Sequence, residues 1–165
     1  MGNTMKMTLA EIDSAIARNI MKWRRLTQSV VQSDLGLMPN AHQLEQSLDP
    51  HWFDREGRVV AIAEIPGSGE RPNVWSPTKN PSDAQMVRFK LSEVFQAIVL
   101  ARLAVGAIVV FALFVNNPVD GSPSKSHIAM GASEEIATSV CALATIGMDV
   151  EIQEEDLVDG LNQLT

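Results

Sequence analysis

The densest group of side chains able to meet a ligand lies in "HWFDREGR", positions 51–58. Trp52 offers a flat aromatic face, Asp54 a carboxylate and Arg58 a guanidinium, all close together in the chain. In a binding site such groups stack on a planar ring and pair with charge. Trp75 and Arg71 add a second aromatic and a second cation, so a nucleotide-type ligand is one reading. The same letters also make a β-hairpin, because Asp54-Arg55-Glu56-Gly57 is turn chemistry and Trp52 then becomes a packing residue. A different surface is acidic. From Asp149 onward there are six acids and no base, with Glu154, Glu155 and Asp156 at its centre, whereas eleven of the 13 basic residues precede position 97. A run of this kind suits a basic partner or a solvated face.

The groups that carry catalysis are not assembled in the sequence. His42, His51 and His127 stand apart, with no neighbouring Cys-x-x-Cys, His-x-x-x-His or Glu-x-x-His spacing for a metal. No serine occupies a G-x-S-x-G elbow. Gly67-Ser68-Gly69 lacks the Gly-Lys-Ser/Thr and the following helix of a phosphate cradle. Cys141 sits in an apolar helical pattern and reads as a small packing residue. The expectation is therefore no catalytic residue, no metal and no cofactor.

A net charge of −7 opposes a nucleic-acid backbone as partner, since phosphate binding needs a basic footprint. One cysteine excludes an internal disulfide and suits a reducing cytoplasm. The first residues lack an apolar signal core, and Lys6 stands where a myristoylation pattern asks for Ser or Thr. With 45% apolar residues and few aromatics, Ile, Leu, Val, Met and Ala must fill the core.

These candidates need elements to hold them. Thr8 and Glu11 form a capping box, and Ile12, Ile16, Ile20 and Trp23 follow at helical spacing, so a first helix is predicted over 9–25. Residues 27–50 read as loop with a short helix at 41–48, and 51–65 as the hairpin. Residues 66–73 are a loop, and a short strand then precedes a helix opened by Pro81 or Ser82, with Asp83 at its positive end. Residues 116–126 are a Gly/Pro/Ser loop. Ser133 caps a further helix whose apolar face is Ile136, Val140, Leu143 and Gly147. Leu157, Leu161 and Leu164 predict a last, acidic helix.

Residues 94–115 are apolar except for Gln96 and Arg102. That length approaches a membrane span, which needs about 20 apolar residues. Arg102, Gly106 and the β-branched Ile108-Val109-Val110 favour instead a buried hairpin. In that reading the helix from Ser82 continues its stripe Val87, Leu91, Val94, Ile98 into a helix tail or short strand, the chain turns near Val105-Gly106, and 107–115 is a central strand.

The segments "EIDSAIARNIMKW", "HWFDREGRVVAIAEI", "VWSPTKNPSDAQMV" and "SEEIATSVCALATIG", in this order, resemble the phage ABA sandwich domain family and, less closely, the NinX-like proteins of lambdoid phages. The matching letters are Trp23, Trp52, Asp54, Gly57, Trp75, Pro77 and Asp83, within residues 7–148. The chain departs in a longer 27–50 segment, in "TKNPSD" and in an acidic extension after Met148. The resemblance implies an α+β fold in which helices cover a small, mainly antiparallel sheet as an α/β/α sandwich. It implies one domain over 1–148 and no enzymatic activity, and the residues beyond it read as an acidic helical tail over 149–165. The function expected is that of a non-enzymatic phage or prophage accessory protein binding a host or phage protein in the host cytoplasm, antagonising host defence. The alternatives are a small-ligand binder and a membrane-anchored accessory protein held by 94–115. A homo-oligomer is compatible with all three.

Overall fold

The structure, a computed structural model, describes residues 4–26, 50–63, 73–105, 107–116 and 125–153. It belongs to the α+β class. The described elements are β1 (Met5–Met7), α1 (Leu9–Asn19), β2 (His51–Phe53), β3 (Val59–Ile62), α2 (Pro81–Ser92), β4 (Ala97–Val105), β5 (Ala107–Asn116), β6 (Lys125–Gly131), α3 (Glu134–Ala144) and β7 (Val150–Ile152). The chain forms two compact units, residues 1–21 with 76–165, and residues 22–75.

In the first unit a three-stranded antiparallel sheet has the order β4-β5-β6. The apolar stretch is thus a hairpin with β5 at the centre, paired from Ala97↔Val115 to Val105↔Ala107. This rules out the membrane-helix alternative for 94–115, and among the described residues no helix is long and apolar enough to cross a membrane. The helix before it also stops earlier than expected. α2 ends at Ser92, and Ile98 is a strand residue. The N–H groups of Val94 and Phe95 close on the Leu91 carbonyl at 2.9 Å, and buried Phe95 lies 6.1 Å from the rings of Phe114 and His127. Packing of that ring outweighs continuation of the helical stripe.

α3 packs on the inner face of the sheet, and α1 and α2 pack on α3. Ser133 caps α3 as expected, its Oγ accepting from the Ile136 N–H at 3.2 Å. Leu143 is buried as expected, but Ala137, Thr138, Cys141 and Ala142 are covered with it, whereas Ile136 and Val140 are half-buried and Gly147 is exposed. The helix and β6 approach closely. A Cβ placed on Gly131 of β6 would lie 2.6 Å from the Ala137 backbone nitrogen, and the Cys141 thiol reaches the His127 carbonyl at 3.3 Å. Only small side chains fit between a helix and a strand that near. Among the described residues the helices cover one face of this sheet, so the sandwich is met on the inner side alone. The outer face carries Ala97, Val99 and Ala101 of β4, Leu113 and Val115 of β5, and Ser126, Ile128 and Met130 of β6.

Two short strands were absent from the sequence reading of this unit. β1 pairs in parallel with β7, placing Lys6 in register with Glu151, a favourable cross-strand pair. The expected acidic helical tail is corrected at its start. Residues 150–152 are a strand because Val150-Glu151-Ile152 alternates and meets the equally alternating Met5-Lys6-Met7. Residues 154–165, with the predicted last helix, lie outside the described residues, as do 27–49 with the short helix at 41–48. The loop expected over 116–126 ends early, since β6 begins at Lys125.

α1 has its capping box, with Glu11 N–H on Thr8 Oγ1 at 3.2 Å and Thr8 N–H on Glu11 Oε2 at 2.8 Å. It buries Ile12, Ile16 and Ile20, as expected, but ends at Asn19 rather than Arg25. Lys22 has φ 60°, outside the helical region, and belongs to the second unit. There Arg24 exchanges two 2.9 Å backbone hydrogen bonds with Phe53, which an α-helix at that position would forbid. Also in the second unit, β2 and β3 form the predicted hairpin, with Trp52 opposite Ala61 and a bulge after Trp52.

Candidate functional site

The hairpin turn shows how its polar residues are used. Gly57 takes φ 82° and donates its N–H to the Asp54 carbonyl at 3.2 Å. Asp54 accepts from the Arg58 N–H at 2.8 Å and from Arg58 Nε at 2.7 Å, and Arg58 Nη2 meets Glu56 at 3.3 Å. Burial pulls the Asp54 carboxyl upward, but the backbone and side-chain hydrogen bonds of Arg58 and its charge outweigh that and hold it below its usual range. The side-chain hydrogen bond and charge of Asp54 push Arg58 upward. The guanidinium is thus engaged by two carboxylates and closes the turn.

The tryptophans are likewise occupied. Trp52 is 1% exposed, with the Arg25 guanidinium carbon 5.7 Å from its ring centre. Trp75 is buried and meets Trp23 edge-on, with centroids 4.6 Å apart. The structure therefore brings Trp52, Asp54, Arg58 and Trp75 into one unit, yet each is spent on packing or on the turn. Neither indole presents a face for a nucleotide. Arg71, Glu154, Glu155 and Asp156 lie outside the described residues. No group of three His, Cys, Asp or Glu able to hold a metal occurs among the described residues.

The "E-I-D" and "S-P-T" segments meet in a buried polar knot within the first unit. Asp13 of α1, 2% exposed, accepts from Ser76 Oγ, Thr78 Oγ1 and the Thr78 N–H, each at 2.9 Å. Asp83 accepts from the Ser76 N–H at 2.9 Å, and burial raises its carboxyl above the usual value against that bond. With two carboxylates directed at neutral donors, the knot anchors the loop before α2 to α1. Both oxygens of Asp13 are spent on this anchoring.

What the first unit leaves open is apolar. α2 is capped by Asn80, whose Oδ1 accepts from the Ser82 N–H at 2.9 Å, and has Pro81 in its first turn. It buries Ala84, Val87 and Leu91 at helical spacing. Met86 and Phe89 fall on the opposite side of the helix, and Phe89 is 74% exposed. With Met21, Ser82, Gln85 and Lys90 they line a shallow groove of about 320 Å³. Lys90 is held at its rim by Glu93 at 2.6 Å. The sequence reading followed the Val87–Leu91 stripe and passed over this pair. The available signal was two large apolar residues off the stripe, which a one-sided helix does not need. Comparison of the chain with family models, with curated proteins and with solved structures finds no match.

Proposed function

We propose that this chain is a non-enzymatic phage or prophage accessory module that works by binding a host protein in the host cytoplasm, antagonism of host defence being the role such binding would serve. The phage origin rests on the family resemblance of the four sequence segments. The binding role rests on one observation, the Phe89 side chain standing exposed over the groove of Met21 and Met86. Leaving a Phe in water forgoes about 1.5–3 kcal/mol of burial. Aromatic anchors are frequent hot spots of protein interfaces, and methionines adapt their shape around such contacts. An apolar helical segment with i, i+3 and i+4 anchors is the kind of partner element this groove suits.

A small-ligand reading is less well supported, because the groove is open, contains no tryptophan and stands at the low end of ligand-site volumes. The test is photo-crosslinking in a bacterial host lysate from a probe placed at Gln85, with and without Phe89→Asp. The expected result is a discrete crosslinked protein that disappears in the variant while thermal unfolding is unchanged. Undiminished capture by Phe89→Asp would move the contact elsewhere. A chelator-sensitive hydrolase or transferase activity in the purified protein would overturn the non-enzymatic reading.

A further inference from the structure

The groove beside Phe89 is flanked by two cations. Arg88 and Lys90 precede and follow Phe89, and at about 100° per residue they fall on opposite sides of the exposed helix face. Arg88 is half-buried. Its Nη1 donates to the Thr138 hydroxyl at 3.1 Å, and no carboxylate pairs with it among the described residues. Lys90 meets Glu93 at 2.6 Å, but both side chains are exposed, and such a surface pair holds weakly and exchanges readily. A segment that fits this groove is therefore apolar along one side and acidic beside it. The chain itself carries one. The twelve residues after Gln153 read "EEDLVDGLNQLT", with Leu157, Leu161 and Leu164 at i, i+4 and i+7, four acids and no base. A helix of that length is marginal alone in water, so its leucine stripe needs a surface to bury against.

We propose that residues 154–165 fold back onto the Phe89 groove and cover it until a partner displaces them. Their role as an internal competitor rests on the groove being the binding surface proposed above. Reach permits the contact. The Gln153 N–H donates to the Met7 carbonyl at 3.1 Å, which fixes the start of the segment beside the N-terminal end of α1. Met21, which lines the groove, lies just past the other end of that helix. The 11 residues of α1 rise about 16 Å, and the step on to Met21 makes the span roughly 20 Å. Residues 154–156, if extended, cover about 10 Å, and the nine that follow add about 13 Å as a helix. Leu161 and Leu164 thus come level with Met21, and Asp159, set among the leucines, is the acid available to Arg88 and Lys90. Burial of the stripe and pairing with the two cations act together, and both are open to competition from a partner segment of the same chemistry.

The purified full chain tests this with no host protein present. A benzophenone side chain in place of Gln85, which lines the groove, is irradiated in an equal mixture of unlabelled and isotope-labelled chains, and the crosslinks are mapped by mass spectrometry. The expected product joins position 85 to residues 154–165 within one chain. Leu161→Asp and Phe89→Asp should each reduce it by about tenfold or more, the factor that burial of one large apolar side chain supports. Arg88→Glu should reduce it severalfold, and more at low salt. In host lysate Leu161→Asp should raise capture at the same probe, because the groove is then open. Absence of a crosslink to 154–165, or one that Leu161→Asp leaves undiminished, overturns the proposal. So does a crosslink found only between two chains, which assigns the groove to a second copy, or lysate capture that Leu161→Asp leaves unchanged. The two readings fail separately. Host capture without the self-crosslink removes the internal competitor and keeps the groove as the binding surface, whereas a self-crosslink without host capture keeps the fold-back and removes the host partner.

Discussion

Replacing Asp13 by Ala tests whether the buried knot holds the fold. The carboxylate accepts three hydrogen bonds from Ser76 and Thr78 at 2.9 Å and is 2% exposed. Hydrogen bonds to a charged group contribute about 1.5–3 kcal/mol each, but burying the charge costs several kcal/mol, so the three do not sum. The two hydroxyls can turn to other acceptors once the carboxylate is gone. The Thr78 N–H cannot turn, and a buried donor left without a partner costs about 1–3 kcal/mol. Adding the small void left by the side chain, the expected loss is about 2–4 kcal/mol. Urea unfolding followed by far-ultraviolet circular dichroism measures it, read as a lower midpoint at unchanged slope. Asp13→Asn, which keeps the shape but turns an amide donor toward donors, should lose a similar amount. If both variants fall within about 0.5 kcal/mol of the parent, the ordinary range for surface substitutions, the knot is not what anchors the loop before α2.

Gly131→Ala should destabilise by about 1–3 kcal/mol, because its Cβ meets the Ala137 backbone at 2.6 Å and α3 would have to move; thermal unfolding checks it. Ser139→Ala should be neutral or stabilising by about 0.5–1 kcal/mol, since the buried Ser139 hydroxyl has no hydrogen-bond partner among the described residues. Burial pushes the Cys141 thiol up to about 12, so a thiol-disulfide reagent at neutral pH should react with native protein far more slowly than with unfolded protein. The same shift has a sign. Between its ordinary value of 9.0 and about 12 the unfolded chain has released the proton and the folded chain has not, so stability falls with rising pH across that window. Cys141→Ala should remove that part of the alkaline loss. Deleting residues 149–165 removes β7 with its ladder to β1 and should lower the unfolding midpoint measurably, whereas deleting 154–165 leaves that ladder in place.

Much of the local structure was legible because it depends on groups a few residues apart. Thr8 with Glu11 and Ser133 with Ile136 mark helix starts through bonds spanning three residues, and Pro81 marks a third through its fixed φ. The Asp54–Gly57 turn and the strand character of 107–115 followed from turn chemistry and β-branching, and the burial of Cys141 from its apolar setting. Helix ends were less legible, since the stripe that predicts a helix continues past Asn19 and Ser92 into residues that the tertiary structure assigns to a bridge and a strand.

The rest required residues distant in sequence to meet. Met5–Met7 becomes a strand only because Val150–Ile152 lies beside it, and neither stretch is long enough to declare itself. Nothing near Asp13 in the sequence marks it for burial; Ser76 and Thr78, 63 and 65 residues on, close over it. The close approach of α3 to Gly131, where a Cβ would meet the Ala137 nitrogen at 2.6 Å and Ile136 Cγ2 at 2.9 Å, joins residues that no local pattern relates. The candidate surface belongs to this second class. Whether Phe89 is core or surface depends on what packs against its helix from elsewhere in the chain, and periodicity along one helix carries no record of that.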